Sequence, residues 1–526
     1  MSFNSPLDKY IEYIKKNLPQ IEIKSLSVLL KAAVDTNWDD PTTAMDLNNI
    51  AVIQLIEAEE TEDLSLRQLN LELALESLQN SLDKDRNHLC IAHLGVIHSL
   101  RGETDISHQL EFPTLLRILQ ATFTNPNKSQ PGLVYLPIGP RNHHKNKESL
   151  SKIITLDNSY LQALYLLIAE LEQSQLVFYS QVGLRLLNWL NQIIPDSVTI
   201  NLNLGISNLF NRQSEGLFYL HKGRKIKPDY SPIVQSLYLA YRDFQDETSI
   251  KYWHDYGQNY YENNPQDLSW SWANLPRDNA WTYLPFEGNL LIVVEPTFHS
   301  IVTCVLLAQQ DWFEWEMELW RDRIQEGMTV IDVGANVGVY TFSAANRVGK
   351  NGQVLAVEPS NNCLDCLRET CRINNLTRVK VCAGAASNYN GKANLFLHSS
   401  SEENEIISDG GKDGQNYAEV NCFTLDSLLE KNNLSRVDWL KIDAEGHEVQ
   451  VLQGSSRILS EFKPSILYEN IAGSKGSNIP VAEFLLSRGY ELFYYQPFVK
   501  QLISLNSLQE LSGKLNIIAL SKNSVQ

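Results

Sequence analysis

The residues that constrain the fold most are Val330-Ile-Asp-Val-Gly-Ala-Asn-Val-Gly-Val-Tyr340. An apolar run closing on Asp332, a turn holding Gly334 and Gly338, and apolar residues resuming at helical spacing predict a buried strand, a glycine turn and a helix. Such a strand needs neighbours on both sides and cover on both faces. The sequence provides them. Strand-like runs occur at Thr329–Gly334, Gln353–Glu358, Val379–Ala383, Asp438–Asp443, Ser465–Glu469, Leu492–Tyr495 and Leu515–Leu520. Helical stretches at Val339–Arg347, Cys363–Ile373, Asp426–Lys431, Glu448–Ser460 and Val481–Ser487 alternate with many of them. The expectation is an α/β domain over 326–526 with a mostly parallel, seven-stranded sheet that binds its ligand at the carboxyl ends of the strands.

The turn spacing narrows that ligand. A dinucleotide fingerprint needs G-x-G-x-x-G, whereas this chain has D-x-G-x-N-x-G, with Asn336 between the two glycines. The glycines expose backbone to a ligand, and the helix start offers free N–H donors. Glu358 closes the next strand, 24 residues after Gly334, much as an acid about 20 residues on does in dinucleotide folds, and Gly384 closes the third. This spacing is similar to the first motif of class I S-adenosylmethionine methyltransferases, which usually have Gly where Asn336 stands. Further segments extend the likeness: Phe423-Thr-Leu-Asp-Ser-Leu-Leu429, Val437-Asp-Trp-Leu-Lys-Ile-Asp-Ala-Glu-Gly-His-Glu448, Val451-Leu-Gln-Gly454 and Pro464-Ser-Ile-Leu-Tyr-Glu469. Together they resemble the FkbM family of methyltransferases over 326–526.

That resemblance implies a Rossmann-like fold, S-adenosyl-L-methionine as cofactor, and methyl transfer to a hydroxyl of a sugar, glycolipid or polyketide-like acceptor. Asp332, Gly334, Asn336, Gly338, Glu358, Gly384 and Asp443 are then the cofactor-binding candidates. An attacking hydroxyl must lose a proton, which calls for a base within reach. Asp443, His447, Glu445 and Glu469 are the catalytic candidates, with His447 preferred as base and Glu445 and Glu469 orienting acceptor hydroxyls. Plainer readings stand beside these. His447 otherwise simply opens the following helix, Glu445 accepts backbone N–H groups in its turn, and Thr424 caps the helix after it. The alternative that Asp443, Glu445 and Glu469 hold a divalent cation is not demanded by their spacing, and no metal is expected. The segment His398–Gln415 is either a lid or a plain hairpin insertion.

Residues 1–264 read differently. Apolar residues recur at helical spacing in Leu7–Leu18, Ala44–Ile56, Leu66–Leu82, Cys90–Leu100, Tyr160–Leu171, Val182–Ile194, Ile200–Phe210, Gly216–Ile226 and Ile233–Phe244. Gly183, Leu187, Leu190 and Pro195 return as Gly216, Leu220, Gly223 and Pro228, and the two prolines are 33 residues apart. This resembles the second helix of a tetratricopeptide repeat, so a helical repeat region with a protein partner is expected. The proline-bearing stretch Thr124–Lys147 reads as a loop, in which His143 and His144 read as solvated rather than metal-bound, since no further ligand lies at a suitable spacing. Residues 265–325, rich in Trp, read as an adaptor, with a strand at Leu290–Val294 and a helix at Asp311–Arg323.

Charge and composition set limits on partners. The formal net charge is -18, with no basic arm, which opposes nucleic-acid binding. No apolar run reaches the length of a membrane span, and the N-terminus lacks a secretory layout. Seven cysteines, an odd number, suggest reduced thiols. A cytoplasmic enzyme is expected, the alternative being a repeat-type interaction scaffold whose cofactor-binding domain does not turn over.

Overall fold

The computed structural model of the chain describes residues 5–522 apart from 86, 104–112, 115–116, 118–129, 137–152, 172–180, 399–403, 408–416 and 472–475. Packing divides the chain into two compact units, one of residues 1–174 with 496–501 and one of residues 175–495 with 502–526. The helices over 181–263 thus share a unit with the sheet, where the sequence suggested a boundary at 264. Among the described residues no helix is long and apolar enough to cross a membrane.

The first unit is built on α1 (Pro6–Asn17), α2 (Ser27–Asp35), α3 (Ala44–Glu60), α4 (Leu64–Lys84), α5 (His88–Leu100) and α6 (Ser159–Leu171). Reciprocal capping boxes start α1 (Ser5 with Asp8) and α3 (Thr43 with Asp46), satisfying amides that the helix itself leaves open. The stretch read as a loop carries no helix or strand where it is described, yet Leu133, Val134, Tyr135 and Leu136 within it are buried. Buried amides need partners, and here Asn, Gln, His and Tyr side chains provide them. His143 and His144 lie outside the described residues.

The second unit opens with α7 (Gln181–Ile193), α8 (Val198–Phe210), α9 (Gly216–Ile226), α10 (Ser231–Asp243) and α11 (Glu247–Asn263). The small residue at 216 acts as the repeat pattern requires: a Cβ there would lie 2.5 Å from the Gly205 carbonyl oxygen, so α8 and α9 touch backbone to backbone. α7 and α9 each end two residues before a proline, Pro195 and Pro228. An antiparallel hairpin follows, β1 (Thr282–Phe286) with β2 (Leu290–Val294), then α12 (Ile301–Gln309) and α13 (Glu316–Arg323). The helix expected from Asp311 begins only at Glu316. Asp311 is held by the Arg321 guanidinium, and Glu314 accepts from Tyr340 Oη at 2.6 Å and Asn516 Nδ2 at 3.0 Å, contacts that replace a first helical turn.

The main sheet comprises β3 (Thr329–Val333), β4 (Gln353–Glu358), β5 (Val379–Ala383), β10 (Trp439–Ile442), β11 (Ser465–Glu469), β12 (Tyr490–Gln496), β13 (Gln501–Ser504) and β14 (Asn516–Ser521). Its order is β13-β12-β14-β11-β10-β3-β4-β5. All seven expected strands are present, but the sheet is eight-stranded and mixed. β3, β4, β5, β10 and β11 run parallel, β14 runs against β11 and β12, and β13 is the addition. A second sheet of four short strands, β6 (Ala385–Ala386), β7 (Gly391–Phe396), β8 (Glu405–Ile407) and β9 (Tyr417–Phe423), lies between β5 and β10 in sequence. His398 and 404–407 of the expected lid segment flank and form β8. Its glycine-rich part, 410–414, lies outside the described residues.

Helices α14 (Val339–Arg347), α15 (Asn361–Ile373), α16 (Leu425–Lys431), α17 (Glu448–Gln453) and α18 (Ile479–Ser487) complete the fold. The helix expected over Glu448–Ser460 is interrupted: a Cβ at Gly454 would sit 2.0 Å from Ser387 O, α17 ends there, and helical turns resume at 456–457 with a π-helical turn over Ile458–Phe462. The strand period sorts the core. Ile331, Val333, Leu440, Ile442, Ile466 and Tyr468 enter one apolar cluster, while Val330, Trp439 and Leu467 enter the other. Each such buried side chain contributes about 1.5–3 kcal/mol. On that second face, one step beyond Val330 and Trp439, Asp332 and Lys441 stand side by side in register.

Candidate functional site

A cavity of about 420 Å³ opens at the carboxyl edge of β3, β4, β10 and β11, within the usual range for small-molecule sites. Asp332, Gly334, Asn336, Glu358, Gly384, Asp443, Glu445, His447 and Glu469 all line it. Gly338 does not. A Cβ at Gly338 would meet Phe342 at 2.4 Å and Leu367 at 2.7 Å, so this glycine, with φ of +98°, lets α14 pack rather than admitting a ligand. The reason for Gly334 also differs from expectation. Its missing Cβ makes way for the Asp443 carbonyl, which would lie 1.6 Å from it.

The β3–β4 side of the cavity is acidic and tightly organised. Asp332 is wholly buried; Oδ2 accepts from Thr341 Oγ1 at 2.6 Å, and Oδ1 has no hydrogen-bond partner. Asn336 holds a left-handed backbone with φ of 48°, which Asn tolerates better than most residues. Its N–H donates to Glu358 Oε2 at 2.8 Å, and Ser360 N–H donates to Glu358 Oε1 at 2.8 Å. Burial pushes the Glu358 carboxyl up to about 7 against the pull of those two N–H bonds. Gly384 N–H donates to Glu358 O at 2.9 Å, tying the third strand end to the second.

Three residues that motif reasoning passed over link this side to β10. Lys441 is buried, donates to Asp443 Oδ2 at 2.9 Å and lies 4.7 Å from the centre of the Tyr340 ring. Burial alone would lower its pKa, but Asp443, Asp332 and Glu314 raise it, so the ammonium stays charged. Glu314, raised by its own burial and opposed by Lys441, receives the Tyr340 hydroxyl. A lysine inside the apolar run Trp439–Ile442 was a visible signal; Glu314 and Tyr340 offered none, because only the sheet brings them near it.

The turn after β10 resolves the competing roles there. Glu448, 1% exposed, is the residue that caps it: Oε1 accepts from Ala444 N–H at 3.0 Å and Gly446 N–H at 2.9 Å, and Oε2 accepts from Asn478 Nδ2 at 2.9 Å. Glu445, assigned that capping in one reading, instead takes a left-handed backbone with φ of 49° and lines the cavity. His447 Nε2 lies 2.9 Å from Ser387 Oγ, and burial lowers the imidazole pKa, so the ring is neutral near pH 7. Thr424 accepts from Ser427 N–H and caps α16, as its plainer reading held.

Asp443, Glu445 and Glu469 bring carboxylate oxygens within 4.8 Å of one another, a donor set able to hold a divalent cation. Burial, then Asp443, Glu445 and Glu448, push the Glu469 carboxyl far above its usual range, with Lys441 opposing. Glu469 therefore stands as a neutral acid near pH 7, a hydrogen-bond donor rather than the carboxylate expected of it.

Residues 332–492, 161 of the 526, match the family described as methyltransferase FkbM domain. Solved structures similar to the chain include the methyltransferase FkbM of Methylobacillus flagellatus KT, at 14% identity and TM-score 0.27, covering 41% of this chain and 52% of that one. A SAM-dependent methyltransferase from Aquifex aeolicus matches at 17% identity and TM-score 0.22, covering 39% and 89%. An O-methyltransferase from Bacillus cereus, in complex with SAH, matches at 16% identity and TM-score 0.24, covering 39% and 80%. The chain spans about half the length of the M. flagellatus structure. No curated protein matches it.

Proposed function

We propose that residues 326–526 form an S-adenosylmethionine-dependent methyltransferase domain acting on a hydroxyl oxygen of a small-molecule or glycan acceptor: a sugar, glycolipid or polyketide-like compound. One observation carries the reading. Asp332 Oδ1 is a buried acceptor with no partner, in a cavity also walled by Asp443 and Glu358, and so suits a ligand that brings N–H donors and positive charge. The match of 332–492 to the FkbM domain family supports the same class.

S-adenosylmethionine, when bound, supplies an electrophilic methyl on a positively charged sulfur. Asp332 and Asp443 are assigned to its amino-acid end and Glu358 to its ribose hydroxyls, with Gly334, Asn336 and Gly384 shaping the cavity between. Lys441 keeps this acid-rich wall from carrying an uncompensated charge. His447, neutral and partly buried, takes the proton of the attacking hydroxyl, and Ser387 orients the imidazole. Neutral Glu469 donates to a second acceptor oxygen. Trp312 and Phe313 line the same cavity and offer apolar faces suited to a sugar ring.

In this reading residues 265–325 are the adaptor that brings those aromatics to the site. The tetratricopeptide-like helices of 1–264 recruit a protein partner or the acceptor. The location is cytoplasmic, in keeping with the odd number of cysteines.

The test is calorimetric titration of S-adenosylmethionine into the wild type and Glu358→Ala, followed by incubation with labelled cofactor and a cell extract. Binding by the wild type, its loss in the variant and label appearing on a hydroxyl are expected. No binding to the wild type overturns the reading.

A further inference from the structure

In the first unit, residues 132–136 (Gly-Leu-Val-Tyr-Leu) carry no helix or strand, and each of their backbone N–H groups is received by a side chain; the N–H and C=O of Gly132, Val134 and Leu136 each meet a single side chain, the pattern of an extended backbone. Gln162 of α6 accepts from Gly132 N–H and donates to Gly132 O, both at 3.0 Å. Asn49 Oδ1 accepts from Leu133 N–H at 2.8 Å, and Asn48 Nδ2 donates to Leu133 O at 3.0 Å. Tyr10 Oη accepts from Val134 N–H and donates to Val134 O, both at 3.2 Å. His93 Nε2 accepts from Tyr135 N–H at 3.1 Å, and Tyr13 Oη accepts from Leu136 N–H at 3.2 Å while donating to Leu136 O at 2.7 Å.

The six partners are all buried, on four helices, between 30 and 124 residues away in sequence. Their own remaining bonds hold them ready. His93 accepts at Nε2, so its proton sits on Nδ1 and is donated to Asn48 Oδ1 at 2.8 Å. Burial drives the His93 pKa down to about 3, keeping that tautomer neutral. Asn48 Nδ2 donates to Asn49 Oδ1 at 3.1 Å, and Asn49 Nδ2 donates to Thr36 Oγ1 at 2.8 Å.

A helical core has no need of this arrangement, since apolar side chains would fill the space without buried amides to satisfy. What it matches is an extended backbone that has no strand beside it. Side-chain pockets add sequence preference. Gly132 suits the crowding, because a Cβ there would meet the side-chain ends Met45 Sδ at 2.3 Å, Asn48 Nδ2 at 2.9 Å and Leu89 Cδ2 at 3.0 Å, which would have to shift to admit it. Tyr135 stacks on Tyr13 at 6.0 Å and donates its hydroxyl to Glu59 Oε2 at 2.7 Å.

We propose that this helical unit is a binding site for an extended peptide of the pattern Gly-apolar-apolar-Tyr-apolar, and that residues 132–136 of the same chain are its resident, exchangeable occupant. The site is separate from the cofactor cavity, and its standing does not depend on the methyltransferase reading. The probe is a labelled synthetic peptide, Gln-Pro-Gly-Leu-Val-Tyr-Leu, tested on the full chain carrying Gly132→Leu, whose four added carbons crowd Met45, Asn48 and Leu89 together and so disfavour the resident segment. The folded variant is expected to bind the peptide at least 100-fold more tightly than the wild type does, and not to bind the same peptide with Leu in place of its Gly. A folded variant that treats both peptides alike overturns the proposal.

Should Gly132→Leu fail to fold, hydrogen exchange on the wild type decides. Amides 132–136 are expected to exchange through a local opening, ahead of the interior amides of α3 and α5. Exchange of both sets only on global unfolding marks the segment as fixed core and overturns it.

Discussion

In the helical unit Asn48, Asn49, His93 and Gln162 are buried and find their partners on an extended backbone; at the sheet edge Asp332 and Glu469 are enclosed with an oxygen that finds none. The first set is neutral, and its bonds interlock. The second is charged or forced to hold its proton, with Lys441 as the buried cation beside it. A satisfied polar network specifies a geometry. An unsatisfied one, in a cavity, reserves a place for something the chain does not itself supply. The difference is the ground for the two proposals, a site for peptide backbone in the first region and one for a charged small molecule in the second.

His447 tests the comparison most severely, because it is partnered by Ser387 and still lines the cavity. His447→Ala is expected to lower turnover by about 10²–10⁴-fold while S-adenosylmethionine affinity stays within about threefold, as removal of a general base should. Label-transfer rates beside calorimetric binding check this. Equal losses in both would place His447 in the binding wall instead. Asp332→Ala comes next. Losing the unpartnered acceptor should weaken cofactor binding by about 100-fold, equivalent to about 2.7 kcal/mol. Because Thr341 also loses its buried acceptor, the melting temperature should fall as well, so affinity is measured on the folded variant, and unchanged affinity would remove the ligand side of the contrast.

Asn49→Ala probes the other region. It strands the Leu133 N–H in a buried position and is expected to cost about 1–3 kcal/mol in denaturant titration, with cofactor affinity unaffected. The smallest effect concerns pH. The Glu358 carboxyl, pushed up to about 7, is neutral below that value and ionised above it. A ribose hydroxyl needs the ionised acceptor, so affinity should fall as pH drops, by about tenfold at one unit below the pKa. In Glu358→Gln the slope should vanish. A flat profile in the wild type means the ligand leaves this carboxyl untouched.

Much of the sheet was legible because its central strands are covered on both faces and read as largely apolar runs. Val330–Val333 and Trp439–Ile442 declare themselves this way, and the charged residue inside each, Asp332 and Lys441, marks the site. β13 was not legible, since Gln501–Ser504 is short and partly exposed at the sheet margin. Glu448 and Glu445 lie three residues apart, and which one caps the turn depends on a left-handed backbone at 445 that no spacing announces. The burial of residues 132–136 was missed for a similar reason. Proline and glycine around them signal a loop, and the six side chains that make burial affordable are scattered across four helices.

The strand order has one more consequence, in time rather than space. β3 carries Asp332 and sits between β4 and β10, but Trp439 follows Val333 by 106 residues. During synthesis at about 5–20 residues per second, Asp332 waits about 5–20 s before Lys441 and Asp443 exist. The Asp443 carbonyl that fills the space beside Gly334 arrives with them. A nascent chain halted short of β10 thus has its glycine turn but not the wall opposite, and cofactor capture becomes a late event in the chain's assembly.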